Sequence, residues 1–216
     1  VREAGAHGGG IDEVMAGFGR TGENFGIEHW DVTPDIITSA KGMTGGYTPV
    51  GGTMPHRRVV EVFEDLENGF QHGHTYCFNP ASAAIGKAVL EYMQARDLVA
   101  NSRQVGAHLH EELQRLYKYD FVGDIRGKGL MLGIEFVGDR ETKAPLEDTG
   151  ERFQNELFES GLDNSIITYP TGGHVDASKG DLTLLTPPLT IDEADADEIV
   201  DRMDATLADV ADELGL

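Results

Sequence analysis

The placement of glycine constrains this chain more than any other sequence feature. It crowds the first eighty residues, in GGGIDEV, GFGRTG and KGMTGGYTPVGG, with prolines at 34, 49 and 55. A stretch so punctuated does not build long packed helices. Positive φ and close backbone approach suit loops that wrap a ligand. Two short apolar pieces, Ile36-Ile37 and residues 50–54, are the candidate strands on either side of Lys41.

From Pro80 the texture changes. Residues 81–93 are small and apolar, which predicts a buried helix. A second helix carries Val105, Leu109, Leu113 and Leu116 on one face. The segment FVGDIRGKGLMLGIEFVGD, split by Gly127 and Gly129, reads as strand, turn and strand. A helix around Phe153 and Leu157 is expected to end at Gly161, and residues 166–169 and 182–186 are expected strands. The last helix should be capped by Thr190 with Glu193, just after Pro187-Pro188, and buries Ile199, Met203, Leu207, Val210 and Leu214. Alternating helices and strands predict an α/β front and an α+β back.

The chain has 216 residues, enough for one large domain or two modest ones, and 39% apolar content argues against general disorder. Seventeen Lys and Arg against 38 Asp and Glu leave a formal charge of −21. Such a field repels nucleic acid and anionic membranes, so neither is an expected partner. It suits a surface kept hydrated in high salt, where screening reduces self-repulsion. The single cysteine, Cys77, permits no internal disulfide and fits a reducing compartment. No apolar run approaches a membrane span, and VREAGAHGGG does not read as a signal peptide, so the expected location is cytoplasmic.

The chemistry gathers in residues 11–52. Asp12, at the end of a strand, is placed to hold a protonated ring nitrogen. Lys41, in a glycine-rich loop, can attack a carbonyl carbon and form an imine. Pyridoxal-phosphate catalysis needs both groups. Each has an ordinary alternative: a solvated lysine, a helix-capping Asp12-Glu13, glycines that only turn. His72, His74 and Cys77 resemble metal ligands, but three donors without a fourth argue against zinc. Arg20 and Arg126 are read as structural, and Trp30 as a packing residue.

Together the residues resemble a family. Asp12-Glu13-Val14 through Phe18-Gly19-Arg20-Thr21-Gly22, Glu28-His29, Pro34-Asp35-Ile36 and Lys41-Gly42 are similar to the class III (ornithine/ω-amino acid type) aminotransferases. The similarity continues through HGHTYCFNPASAAIGKAVL, RGKGLMLGIEF and TPPLTI, nearly the whole chain. The resemblance implies a fold-type-I α/β enzyme using pyridoxal 5'-phosphate. Residues 1–95 would be the lysine-bearing half of the large domain, with its mixed sheet, and residues 96–216 an α+β C-terminal small domain. Lys41 would form the Schiff base and move the proton, Asp12 would pair with the ring nitrogen, and Val14 would pack on the ring. Thr75, with Gly73 and His74 beside it, would reach the cofactor phosphate of a neighbouring subunit, which implies a homodimer with shared sites. The reaction would exchange an amino group between an amine or amino acid and a 2-oxo acid.

Three departures accompany the resemblance. Gly8-Gly9-Gly10 replaces the large apolar residues of the strand leading to Asp12. The family's phosphate loop and ring-stacking aromatic precede this region and have no counterpart here, so the chain is expected to be an N-terminally truncated fragment that holds the cofactor poorly. Leu184 stands where some members place a substrate-binding arginine, which points to ω-amino-acid or amine transaminases. The rival readings are an aminomutase of the glutamate-1-semialdehyde type, against which the intact Gly19-Arg20-Thr21-Gly22 argues, and a non-catalytic remnant.

The charge generates one prediction. Raising KCl or NaCl into the molar range should raise the thermal unfolding midpoint; a flat or falling midpoint would remove the high-salt reading.

Overall fold

The computed structural model describes residues 9–64, 66–67, 69–146, 150–176 and 179–216. Gly8 of the triple glycine lies outside them. The chain divides into two compact units, Val1–Ala100 and Asn101–Leu216, and the division falls inside one helix.

The first unit is built on a three-stranded sheet. Strand β1 (Gly10–Asp12) pairs in parallel with β2 (Ile36–Ser39), in a register that sets Gly10 beside Ile36 and Asp12 beside Thr38. Strand β3 (Gly52–Pro55), close to the expected 50–54, returns antiparallel to β2. Helices α1 (Arg57–Glu64) and α2 (Pro80–Ala95) follow. Asn79 starts α2 by accepting the N–H groups of Ala81 and Ser82 at 3.0 and 3.1 Å, with Pro80 in the first turn where its missing N–H costs nothing.

The expected burial of this helix is corrected. The helix forms, but only Gly86 of it is buried, and Leu90 and Tyr92 are 42% and 49% exposed. Apolar composition sets what a helix can bury; burial also needs a covering surface, and the described part of this unit supplies little. Its single buried apolar residue in the core is Leu98, while Glu13, Thr21, Asp35, Ser39 and Thr44 are buried polar groups.

The second unit has an ordinary core. Helix α3 (Leu98–Leu113) tightens into a 3-10 turn, Gln114–Lys118, and leads to the hairpin of β4 (Val122–Lys128) and β5 (Met131–Phe136). Helix α4 (Gly150–Asp163), β6 (Pro170–Thr171), β7 (Asp181–Leu185) and α5 (Glu193–Leu214) complete it. The sheet is antiparallel in the order β4-β5-β7-β6. Alternation along β5 buries Leu132, Ile134 and Phe136. They join Leu109 and Leu113 of α3, Phe153 and Leu157 of α4, and Val200, Met203, Leu207 and Val210 of α5 in one cluster. Each such side chain contributes about 1.5–3 kcal/mol through removal of apolar area from water.

Three boundaries differ from the sequence reading. Helix α4 runs through Gly161 to Asp163, and the left-handed residue after it is Ser165 (φ 60°); Gly161 instead lets the following chain cross, since a Cβ there would lie 2.9 Å from the Ile166 carbonyl oxygen. Residues 166–169 form no strand, and the ladder reaches only Pro170–Thr171. The cap of α5 is Asp192 with Asp195, not Thr190 with Glu193. The Ile191 N–H still closes a turn onto the Pro188 carbonyl at 3.3 Å, so the chain is turning at 190 and the helix cannot yet begin.

The acidic side of α5 is partly stitched down. His108 meets Asp197 at 2.7 Å, Arg115 meets Asp201, and Lys118 meets Asp204 at 2.7 Å. Burial pulls the Asp204 carboxyl up, but hydrogen bonds from Lys118 and Tyr119 outweigh it and hold it below the usual range. The hydrogen bond to Asp197 raises His108 above its ordinary 6.5. Folding therefore favours protonated His108. Its contribution is complete below the unfolded value and disappears as pH rises through the higher folded value. Thermal midpoints should accordingly fall as pH climbs above about 6.5, and His108→Asn should flatten that part of the profile. An unchanged profile in the variant would refute the linkage.

Candidate functional site

Asp12 ends β1, and Lys41 stands two residues beyond the end of β2. The strands are parallel, so both residues emerge at the carboxyl edge of one strand pair. Ligands of open α/β sheets bind at that edge.

Asp12 is exposed, and its Oδ1 accepts the Val14 N–H at 2.8 Å. This is an Asx turn, and no helix follows it; residues 14–20 continue as turn. Among the described residues the second carboxylate oxygen accepts nothing. Val14, half-buried, opens that turn.

Lys41 is exposed and has φ of 34° in the left-handed region, which a side chain occupies only when its surroundings hold it there. Among the described residues its ammonium makes no ion pair, although the chain carries 38 carboxylates. Thr75 lies in an exposed turn, residues 75–78, beside exposed Gly73 and His74. The fold thus brings Asp12, Val14 and Lys41 to two neighbouring strand ends, and no described contact joins Thr75 to them.

Two carboxylates given no site role in the sequence reading anchor β1 at its two ends. Glu13 is 1% exposed. Its oxygens accept the N–H groups of Gly26 and Ile27 at 2.9 and 2.8 Å, and its own N–H donates to the Thr38 carbonyl at 2.8 Å. Ser39, buried at the end of β2, donates its hydroxyl to the Glu13 carbonyl at 2.9 Å. At the other end of β1, buried Asp35 accepts the Gly9 N–H at 2.5 Å and pairs with Arg58. The available signal was the Asp-Glu doublet at a strand end: period-two alternation sends neighbouring side chains to opposite sides, so one faces out and the other in.

Other singled-out residues have structural surroundings. Arg126 pairs with Glu135 at 2.5 Å and Asp124 at 2.8 Å, which raise its guanidinium above the ordinary value. Burial lowers that of Arg20. The packing role expected for Trp30 is corrected: the indole is 61% exposed, edge-on to His29 at 5.9 Å. The rings of His72 and His74 meet edge-on at 4.7 Å, and the His74 N–H donates to Cys77 Sγ. Among the described residues no group of three or more His, Cys, Asp or Glu side chains is arranged to hold a metal ion.

Known proteins give the geometry its family. The family model for aminotransferase class-III matches residues 11–207. Aminotransferase y4uB of Sinorhizobium fredii is 38% identical over 210 residues, which are 94% of this chain and 43% of that protein. A leucine/methionine racemase of Thermococcus litoralis is 35% identical over 203 residues, 93% of this chain and 42% of the relative. A PLP-bound amine transaminase from an uncultivated Pseudomonas species superposes with a TM-score of 0.81 at 35% identity, covering 91% of this chain and 43% of that one. The chain thus spans less than half the length of these relatives. Its α/β architecture is that of part of a fold-type-I transaminase. The match from Ile11 to Leu207 leaves the conclusion that the chain belongs to the class-III aminotransferases.

Proposed function

We propose that the protein of which this chain forms the described part transfers an amino group between an amine or ω-amino acid and a 2-oxo acid, using pyridoxal 5'-phosphate. The observation that carries this is the emergence of Asp12 and Lys41 at the carboxyl edge of one parallel strand pair. Among the described residues, a carboxylate with one oxygen that accepts nothing and an amine outside any ion pair are the donor set that the cofactor requires, so the residues fit the group. Bound pyridoxal phosphate supplies an electron sink for the carbon from which a proton is removed.

The chain's own groups do the rest. Asp12 holds the proton on the ring nitrogen. Val14 would pack against the ring. Lys41 Nζ would be the amine that holds the cofactor and, once free, would carry a proton to and from the substrate Cα. Thr75, exposed before α2, would serve the phosphate of a neighbouring subunit in a homodimer. Leu184, in place of an arginine, favours amine and ω-amino substrates over an α-carboxylate. The expected setting is a cytoplasm of high salt. No helix among the described residues is long and apolar enough to cross a membrane.

The racemase among the relatives supports a second reading with the same lysine. Withholding the 2-oxo acid separates them: amino transfer stops, whereas racemisation continues.

Treatment with pyridoxal phosphate and borohydride, followed by peptide mapping, should place the reduced adduct on Lys41 ahead of the other lysines. Even labelling of all lysines would overturn the assignment. The strained backbone gives a second expectation. Lys41→Gly and Lys41→Ala both remove the amine, but the glycine variant should be more stable in denaturant by about 1 kcal/mol, because only glycine adopts the left-handed region freely. Equal stability would show that the lysine is not strained.

A further inference from the structure

We infer that Glu13 is a positioning residue, whose buried carboxylate fixes where Asp12 and Lys41 stand. The inference rests on the proposed roles of those two residues. Strand β1 has three residues, one of them glycine, and Ile11 is its only apolar side chain. So short a strand has little side-chain packing to fix its end, and the end is where Asp12 must be held to point a carboxylate.

Glu13 provides the hold from the next position. Its two oxygens each accept a backbone N–H, from Gly26 and from Ile27, so the carboxylate clamps the loop 19–25 back onto the strand end. Its main chain is bound on both sides, the N–H to Thr38 and the carbonyl to the Ser39 hydroxyl and the Gly17 N–H at 3.1 Å. Ser39 is two residues before Lys41. One residue therefore ties together the strand carrying Asp12, the strand leading to Lys41, and the returning loop. The fit is close: a Cβ at Gly26 would lie 2.9 Å from the Ala16 Cβ and 3.3 Å from a Glu13 carboxylate oxygen. Charge-assisted acceptance of two N–H groups is stronger and more directional than apolar contact, and leaving those groups buried without an acceptor is costly.

Glu13→Gln tests this. The variant keeps the shape but replaces one acceptor oxygen with an NH2 group, which cannot accept from a backbone N–H. Amide hydrogen exchange at Gly26 and Ile27 should accelerate, while exchange in residues 101–216 stays as in the parent chain. Borohydride-trapped pyridoxal phosphate at Lys41 should fall about tenfold relative to the other lysines. The pH at which the bound chromophore titrates should rise, since a displaced Asp12 no longer keeps a positive charge on the ring nitrogen to oppose a second one nearby. A merely structural role would not move that midpoint.

If the parent chain labels its lysines evenly, the roles of Asp12 and Lys41 fail, and this inference with them. If the parent labels Lys41 and Glu13→Gln labels it equally with an unmoved midpoint, the inference alone fails. Should Glu13→Gln not fold, Ser39→Ala removes only the hydroxyl bond to the Glu13 carbonyl. It should lower Lys41 labelling in the same direction by a smaller factor, and unchanged labelling there overturns the inference.

Discussion

The parallel pairing of β1 with β2 is the constraint on which the site depends. Had the strands been antiparallel, Asp12 and Lys41 would emerge at opposite edges of the sheet, a strand length apart. Four residues at most contribute to either strand, and the glycine of β1 has nothing to pack. The backbone ladder of the pair is flanked by carboxylates acting on the main chain, Asp35 at Gly9 and Glu13 where it ties Gly26 and Ile27 to the end of β1. An Asp or Glu so used does not depend on the size of its neighbours. That explains how a three-residue strand with a single apolar side chain keeps its register.

The two units show two ways of making a compact structure. The second unit follows the general rule, with helices packed on an alternating sheet around Phe136, Phe153 and Leu109. The first buries polar groups and leaves apolar ones out: Tyr76 and Phe78 are 84% and 99% exposed, while Glu13 and Asp35 are nearly inaccessible. Its order comes from hydrogen bonds with fixed directions more than from burial of area. Local geometry at the strand ends is therefore sharply defined even where side-chain cover is thin.

What was legible in the sequence follows from the range of each interaction. Helices α3 and α5 were visible because their apolar residues recur at three and four, a local property. Asp12 and Lys41 were singled out through the motifs they share with the family, and their roles rest with the proposed function. The anchoring by Glu13 and Asp35 was not visible, since their partners lie 13 and 26 residues away and only the fold brings them together. The exposure of Trp30 and α2 was hidden for the opposite reason: composition reports what a segment is able to bury and not what lies against it. At the start of α5, Thr190-x-x-Glu193 and Asp192-x-x-Asp195 both fit a capping pattern. Only the turn closed by Pro188 and Ile191 decides between them.

The same helix shows why net charge is a poor guide to individual acids. Read as sequence, the polar side of α5 is a solvated acidic face. In the fold, Asp197, Asp201 and Asp204 meet His108, Arg115 and Lys118. Salt acts on these two populations in opposite directions. It screens the three pairs, each worth about 0.2–1 kcal/mol at an exposed surface, and it also screens the repulsion among the remaining acids. The chain carries an excess of 21 negative charges, so the second population is much the larger. The pairs set where α5 sits against α3 and its continuing turn. The excess of acids sets how the whole chain responds to its solvent.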